Sequence, residues 1–314
     1  MILCCGEALI DMIPSPTNTG KDGFVPHSGG AIFNTAIALG RLGVPTGFLT
    51  GLSTDLFGGQ LAADLEKSHV DTRFAIRSDL PTTLAFVRLL QGHATYTFYD
   101  ENTAGRSLSP DLLPDLSDDA SALYFGGISL ISEPCADFYA VLAEREASRR
   151  IIALDPNIRP GFIKNEQRYR ARLERMIAVA DILKVSDEDL NWIMPGDAPL
   201  ESKAQALLQK GPRVLFLTKG SQGALAFVAG RDPVSVAARK AIVVDTVGAG
   251  DTFNAGVLES LFRAELLRKP ALEDIGDADL EAALKRGAEI AAVTVARAGA
   301  NPPWLQELEN QVTT

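Results

Sequence analysis

The sequence predicts an α/β fold: a mostly parallel central sheet sandwiched between helices, with a small β-sheet lid set into it. Three observations predict it. Short apolar runs alternate with segments of helical periodicity along most of the chain, the pattern of strands joined by crossover helices. Two stretches in the N-terminal third interrupt that rhythm with proline, glycine and alternating residues. A length of 314 residues suits one large domain of this class, residues 1–314, carrying an elaboration.

The apolar runs, in order, are ILCC, TGFLTGL, ALYFGGISL, RIIALDP, DILKVS, RVLFLTKG and AIVVDT. Between them AIFNTAIALGRLG (31–43), DLFGGQLAADLEKS, DFYAVLAEREASRR, RYRARLERMIAVA and LEAALKRGAEIAAVTVAR read as amphipathic helices. Open sheets of this kind bind ligands beyond the carboxyl ends of their strands. Asp11, Asp155, Ser186, Thr218 and Asp245 are therefore expected on the ligand side. The interrupting stretches are DMIPSPTNTGKDGFVPHSGG, with a short extended piece, and residues 82–100, TTLAFVRLLQGHATYTFYD, read as two strands joined by a turn at Gly92. They bound inserts at about 11–28 and 74–101, expected to form a lid that closes over a substrate. Ordinary surface hairpins are the alternative.

Composition narrows the classes of partner. With 30 basic and 40 acidic residues the net charge is −10, which repels nucleic acid and anionic lipid. A small anionic ligand needs a local positive site. Three cysteines, Cys4, Cys5 and Cys135, form no CxxC pair, and adjacent Cys4 and Cys5 in a strand point to opposite faces. The opening MILCCGEALIDMIP lacks a basic lead and meets Glu7 and Asp11 early, so neither a signal peptide nor a membrane span is expected, and the cytoplasm is the default. His27, His69 and His93 follow no metal-ligand spacing.

The stretch VVDTVGAGDTFNAG, residues 243–256, carries the chemistry. Bare glycine amides at a helix start cradle anions, and a carboxylate beside them, Asp251, can take the proton of an attacking hydroxyl. Ordinary helix capping by Asp251 is the competing reading of these residues alone. Other phosphate motifs are missing. No G-x-x-x-x-G-K-[ST] exists, Gly20-Lys21 continuing to Asp22, and Gly6 is followed by Glu7-Ala8-Leu9-Ile10 in place of G-x-G-x-x-G.

The chain resembles the ribokinase-like (PfkB) family of carbohydrate kinases nearly end to end, in GEALIDM, SGGAIFNTAIALGRLG, GLSTDLFG, LDPNIRP, KVSDEDL, TKGSQG, DTVGAGDTFNAG and VARAGAN. The resemblance implies a three-layer αβα sandwich with a lid, ATP and Mg²⁺ as cosubstrate and cofactor, and a homodimer paired through the lid. It implies Asp251 as catalytic base and Gly248, Ala249 and Gly250 as the anion hole. Asp11 would accept sugar hydroxyls, Gly29 and Gly30 would let the backbone approach the sugar, and Asn34 would offer donor and acceptor to vicinal hydroxyls. In DPNIRP, which holds Asp155 and Asn157, Arg159 would supply local positive charge to the substrate; a surface salt bridge is its alternative. Ser186, Thr218, Lys219, Gly220 and Gly223, with Gly248 and Gly250, would border the nucleotide.

Where many family members have N-x-x-E, this chain has Ser186-Asp187-Glu188-Asp189, so the Mg²⁺ role falls to Asp189 with Ser186, or to Glu188 as a substitute. Asp245 and the loop near Ala296 and Asn301 stand where some members hold a monovalent cation such as K⁺. Within the family, LDPNIRP with KVSDEDL is most similar to bacterial and plant fructokinases. The rivals are 2-keto-3-deoxygluconate kinases and, further off, nucleoside kinases. Phe86, Tyr96, Phe98 and Tyr99 are expected to cover a sugar, and Asp100 after Tyr99 is a like charge that disfavours an acid substrate, although Arg106 and Arg159 stay available. A noncatalytic sugar sensor on the same fold is the competing class, and the complete G-A-G-D string argues against it.

Overall fold

The computed structural model describes residues 1–90 and 93–312. From the N-terminus the chain runs β1 (Ile2–Cys5), β2 (Leu9–Pro16), β3 (Asp22–Gly29), α1 (Ala31–Arg41), β4 (Thr46–Leu49), β5 (Gly51–Ser53), α2 (Leu56–Lys67), β6 (Val70–Asp71), β7 (Ile76–Ser78), β8 (Leu84–Leu90) and β9 (His93–Tyr99). It continues through β10 (Ala122–Gly126), α3 (Cys135–Glu146), β11 (Ile151–Asp155), α4 (Glu166–Val179), β12 (Ile182–Ser186), α5 (Asp187–Ile193), α6 (Leu200–Leu208) and β13 (Val214–Thr218). The last third holds β14 (Ala224–Val228), β15 (Val234–Val236), α7 (Ala249–Arg263), α8 (Lys269–Glu273), α9 (Asp277–Val295) and α10 (Leu305–Val312).

Nine strands form the central sheet in the order β15-β14-β13-β12-β11-β10-β1-β4-β6 among the described residues. All pairings are parallel except β13 with β14 and β14 with β15. Runs such as ILCC and IIALD are buried along their whole length, as parallel strands covered on both faces must be. Alternation splits them between two cores. Ile2, Cys4, Phe48 and Phe216 pack with α1, α2, α7 and α9, whereas Leu3, Cys5, Phe125 and Leu183 pack with α3, α4 and α6. Cys4 and Cys5 thus point to opposite faces, and all three cysteines are buried free thiols. The result is the expected three-layer sandwich.

A second sheet, ordered β3-β2-β8-β9, stands apart from the first. The proline-rich segment builds more strand than its composition predicts, because its prolines sit where no partner needs their amide. Pro26 lies on the edge strand β3, and Pro14 and Pro16 lie past Ile10–Met12, the part of β2 that pairs with β8. The β8–β9 antiparallel pair matches the hairpin expected over 82–100, and Gly92 itself lies outside the described residues.

Two expectations are corrected. AIVVDT is no strand: residues 241–246 run over the surface with Ile242 86% and Val244 62% exposed, tied down where the Val244 and Asp245 amides donate to Val295 O. An apolar run becomes a strand only if a neighbour is there to pair with it, and the sheet edge ends at β15. TGFLTGL splits at Thr50 into β4 and β5, the latter pairing with β7 in a small separate sheet. No helix among the described residues is long and apolar enough to cross a membrane.

Candidate active site

A cavity of about 290 Å³ lies where the carboxyl end of β11, the start of α1, the small sheet and the start of α7 meet. Helix α7 begins at Gly248, whose φ of 78° lies in the left-handed region and where a Cβ would sit 2.6 Å from that of Ala300. With no side-chain cap, its first-turn amides are left to whatever occupies the cavity. Ala249 N–H is the exception, donating to Thr246 O at 3.3 Å. Asp251, in that first turn, is 9% exposed and accepts from Asn34 Nδ2 at 2.9 Å. Thr35 Oγ1 donates to the Asp251 carbonyl at 3.1 Å, so α1 grips the start of α7 at two points.

Burial is the main cause that raises the Asp251 carboxyl to about 7; Asp155 adds to the rise, while Asn34 and Lys184 pull the other way. Beneath it Asp155, the last residue of β11, accepts from Lys184 Nζ at 3.0 Å and Asn254 Nδ2 at 2.6 Å. Asn254 Nδ2 also reaches the Tyr124 hydroxyl at 2.8 Å. Burial alone lowers the Lys184 ammonium, but Asp155 and then Asp189 more than offset it, so it stays charged. A Cβ on Gly250 would lie 3.5 Å from Lys184 Nζ, placing that charge against the open turn.

Lys184 and Glu7 are site residues that sequence reasoning missed. A lysine inside the buried run ILKVS was the available signal. Glu7 Oε1 accepts from Ala31 N at 3.0 Å and Oε2 from Ser129 N at 3.3 Å, capping α1 from outside because its N-cap, Gly30, has no side chain. Its carboxyl is pushed up by burial, against donors that lower it.

The residues expected to face a sugar lie close together. Asp11 lies inside β2 of the small sheet and not at the end of a central strand, yet it faces the same cavity, raised to about 6 by burial. Gly29 lets it fit, since a Cβ there would fall 2.2 Å from Asp11 Oδ2. Gly30, at φ 112°, passes so close to Glu7 O that a Cβ would sit 2.9 Å away. Arg159 lines the cavity with Nη1 donating to Ile158 O at 3.1 Å, and it makes no ion pair among the described residues, so the salt-bridge alternative is not what the fold uses.

Other expected residues stand outside that cavity. Ser186 and Thr218 end β12 and β13, paired with each other in register. Lys219 N donates to Gly223 O at 2.8 Å, closing the β13–β14 turn, where Gly220 and Gly223 have φ of 52° and 97°. Asp189 caps α5: Oδ1 accepts from Ile158 N, and Oδ2 from Ser186 N and Oγ. Buried and so engaged, Asp189 does not fit as a direct Mg²⁺ ligand, whereas Glu188 is exposed without an ion pair among the described residues. Asp245 accepts from Val247 N at 3.0 Å and Gly299 N at 2.9 Å, binding its loop to the one near Asn301.

The lid expectation is corrected in part. Tyr96 and Phe98 line the cavity, but Phe86 stacks edge to face with both Phe24 and Tyr99 away from it. Asp100 pairs with Arg106 at 2.8 Å and accepts from Ser132 at 2.9 Å, and neither Asp100 nor Arg106 reaches the Asp251 cavity. Opposition to an acid substrate comes instead from Glu7, Asp11, Asp155 and Asp251, set against Lys184 and Arg159.

Residues 1–307 match the profile of the pfkB family carbohydrate kinases. The chain belongs to that family. Among curated pfkB-family relatives it is 51% identical over 288 residues to a fructokinase of Rhizobium leguminosarum bv. trifolii, covering 91% of this chain and 86% of that one. A probable fructokinase-3 of Arabidopsis thaliana is 32% identical over 98% of this chain and 90% of its own. The crystal structure of a fructokinase from Xylella fastidiosa with bound ATP superposes with a TM-score of 0.88 at 27% identity, covering 100% of this chain and 99% of the other. The chain is accordingly an ATP-dependent sugar kinase.

The ion pair under the base yields a stability prediction. Lys184→Met leaves Asp155, 2% exposed, without its cation and is expected to cost about 3–5 kcal/mol in chemical denaturation. Adding Asp155→Asn should restore part of that loss; two additive penalties would show that the residues are not coupled.

Proposed function

We propose that the protein is an ATP-dependent fructokinase, moving the γ-phosphoryl group to a primary hydroxyl of fructose. The observation that carries this reading is Asp251, buried and bonded to Asn34 at an uncapped helix start, inside a cavity whose carboxylates suit an uncharged polyol. The 51% identity to the Rhizobium fructokinase supports fructose as the sugar. In this reading Asp251 takes the hydroxyl proton while the open amides of the Gly248–Gly250 turn and the Lys184 ammonium offset charge spreading over the phosphoryl oxygens. Asp11 and Asn34 hold sugar hydroxyls, Arg159 neutralises one edge of the cavity, and Gly29 and Gly30 admit the sugar close to the main chain.

ATP then lies along the strand ends at Ser186 and Thr218 and the Lys219–Gly223 turn. Mg²⁺ would be held through few protein groups, of which Glu188 is the exposed carboxylate, and would supply charge neutralisation to the phosphates. Asp245 and its loop form the place for a monovalent cation. The small sheet acts as a lid through Tyr96 and Phe98, excluding water from the transfer. Buried free thiols and a need for ATP suit the cytoplasm.

Arg159, which makes no ion pair among the described residues, is the observation that favours an acid sugar such as 2-keto-3-deoxygluconate. Coupled ADP release with fructose, 2-keto-3-deoxygluconate, ribose and adenosine separates the readings. Fructose is expected to give the highest kcat/KM, and a higher value for any other acceptor overturns the assignment.

Asp251→Asn is expected to lower kcat by about 10² to 10⁴ while fructose binding, read by calorimetry, persists. Near-normal turnover would remove Asp251 as the base.

The acid limb of the pH profile follows from the raised carboxyl. A base with its pKa at about 7 is protonated and inactive below that value, so kcat/KM should fall with acidity from about pH 7 downward and level off above it. A profile flat from about pH 5.5 to 8 would contradict this.

On the far side of the small sheet Phe24, Phe86 and Tyr99 stack edge to face, Phe24 45% and Tyr99 61% exposed. Such a patch supports a homodimer joined through the lids. Sedimentation velocity should find the dimer, and a monomer at every concentration tested would refute it.

A further inference from the structure

Behind the cavity that holds Asp251 lies a second one of about 650 Å³, walled by the end of β9, residues 128–133 and residues 161–172. Phe98, Ile128 and Phe162 line both cavities, and the Phe98 and Phe162 rings meet edge to face with centroids 4.5 Å apart. The partition between substrate and second cavity is therefore a pair of aromatic side chains, one on the small sheet and one next to Arg159's loop.

Its charge is unlike that of the protein. Arg106, Lys164, Arg168 and Arg172 line it with Asp100, Glu101 and Glu133, an excess of cations in a chain of net charge −10. Arg172 is 4% exposed and committed to Leu130 O, Glu133 and Asp137; Arg106 is committed to Asp100 and Glu133 O. Lys164 and Arg168 are not so bound. Lys164 lies 3.6 Å from Glu101 with both side chains 78% exposed, and Arg168, 59% exposed, pairs with Glu133 at 3.0 Å and lies 3.9 Å from Asp137. Pairs this exposed hold their members weakly, so a dianion can take both cations. Tyr169 is on the same wall, 2% exposed, and its buried hydroxyl has no hydrogen-bond partner. A buried donor left unpaired is unfavourable, and an oxygen-rich ligand would satisfy it.

We infer that this cavity binds a phosphorylated sugar, with phosphate on Lys164 and Arg168 and a sugar oxygen on the Tyr169 hydroxyl, and that Phe98 and Phe162 carry its occupancy to the substrate site. The edge-to-face rings present no parallel faces to sandwich a purine, whereas Asn165, Asp100 and Glu133 offer a polyol its acceptors. The ligand meets both rings of the partition from the second cavity, so its binding free energy biases the position of Phe98.

Trp192 supplies the readout, because its ring lies 5.5 Å from that of Tyr169 and the chain has two tryptophans. In a Trp304→Phe background, titration with glucose 6-phosphate is expected to change the fluorescence saturably, at concentrations about tenfold or more below those needed with inorganic phosphate. In the unsubstituted enzyme the same compound should shift KM for the sugar acceptor. Lys164→Ala/Arg168→Ala should lose both responses while keeping its kcat and KM without the effector, and Tyr169→Phe should weaken binding without changing the fold. No saturable change, an equal response to inorganic phosphate, or a response that the double variant retains overturns the inference. Binding read this way does not depend on which sugar is phosphorylated, so its failure and that of the fructokinase reading are separable.

Discussion

A carboxylate buried among other carboxylates is pushed toward its protonated form, and this site depends on the Asn34 amide and the Lys184 ammonium that oppose the push. Lys184 stands in β12 under the start of α7, bonded to Asp155 and close to the open turn at Gly250. It pairs with Asp155, tempers the rise of the Asp251 pKa, and places a cation where phosphate oxygens would gather. Desolvating a lysine is costly unless its partners are fixed. They are fixed because Asp155 ends a strand wedged inside the parallel sheet, and Asn254, one turn beyond Asp251, holds the same carboxylate oxygen.

That one constraint explains why helix and sheet must meet here so closely. Helix α7 can bring Asp251 and Asn254 over Asp155 only if it starts abruptly, which the left-handed Gly248 allows, and only if α1 lies against it, which Thr35 and Asn34 secure. Glu7 extends the same logic to the other wall. By accepting from Ala31 and Ser129 it ties the start of α1 to the turn after β10, so the residues around the sugar are held by side-chain bonds between elements far apart in sequence. The small sheet adds Asp11 from a different direction, making a pocket that neither sheet could form alone.

Much of this was legible in the sequence, and the gaps have physical causes. Alternating buried runs and helical periods gave the sandwich, since parallel strands covered on both faces leave a distinct mark. G-A-G-D marked the start of α7, because glycine is needed there for φ and for space. AIVVDT misled, for strand formation depends on a neighbour that local composition does not reveal. Asp189 stands at a position that suggests a metal ligand, yet its spacing from Ser186 also satisfies a capping box, and the buried amide of Ile158 that claims its other oxygen lies thirty-one positions away in the chain. Asp100 as a charge against an acid substrate and Arg106 as a cation open to one are the sequence expectations, but six positions apart they simply find each other. Lys184 was hidden by its apolar neighbours, although an ammonium in a run that folds into a buried strand is itself a sign of function.

Charge is then distributed by what each region must touch. The sugar cavity gathers Glu7, Asp11, Asp155 and Asp251, a field that accepts hydroxyl protons and resists an anion entering where the polyol belongs. In the proposed reading, phosphate then approaches from the strand ends and the α7 turn, toward amide dipoles and Lys184. The cavity behind Phe98 has the opposite balance, so an anion repelled from the sugar pocket finds a favourable place one aromatic layer away. An acidic protein that handles phosphate needs its few local cations placed with this economy, because each arginine or lysine not already spent on a carboxylate is an invitation to an anion.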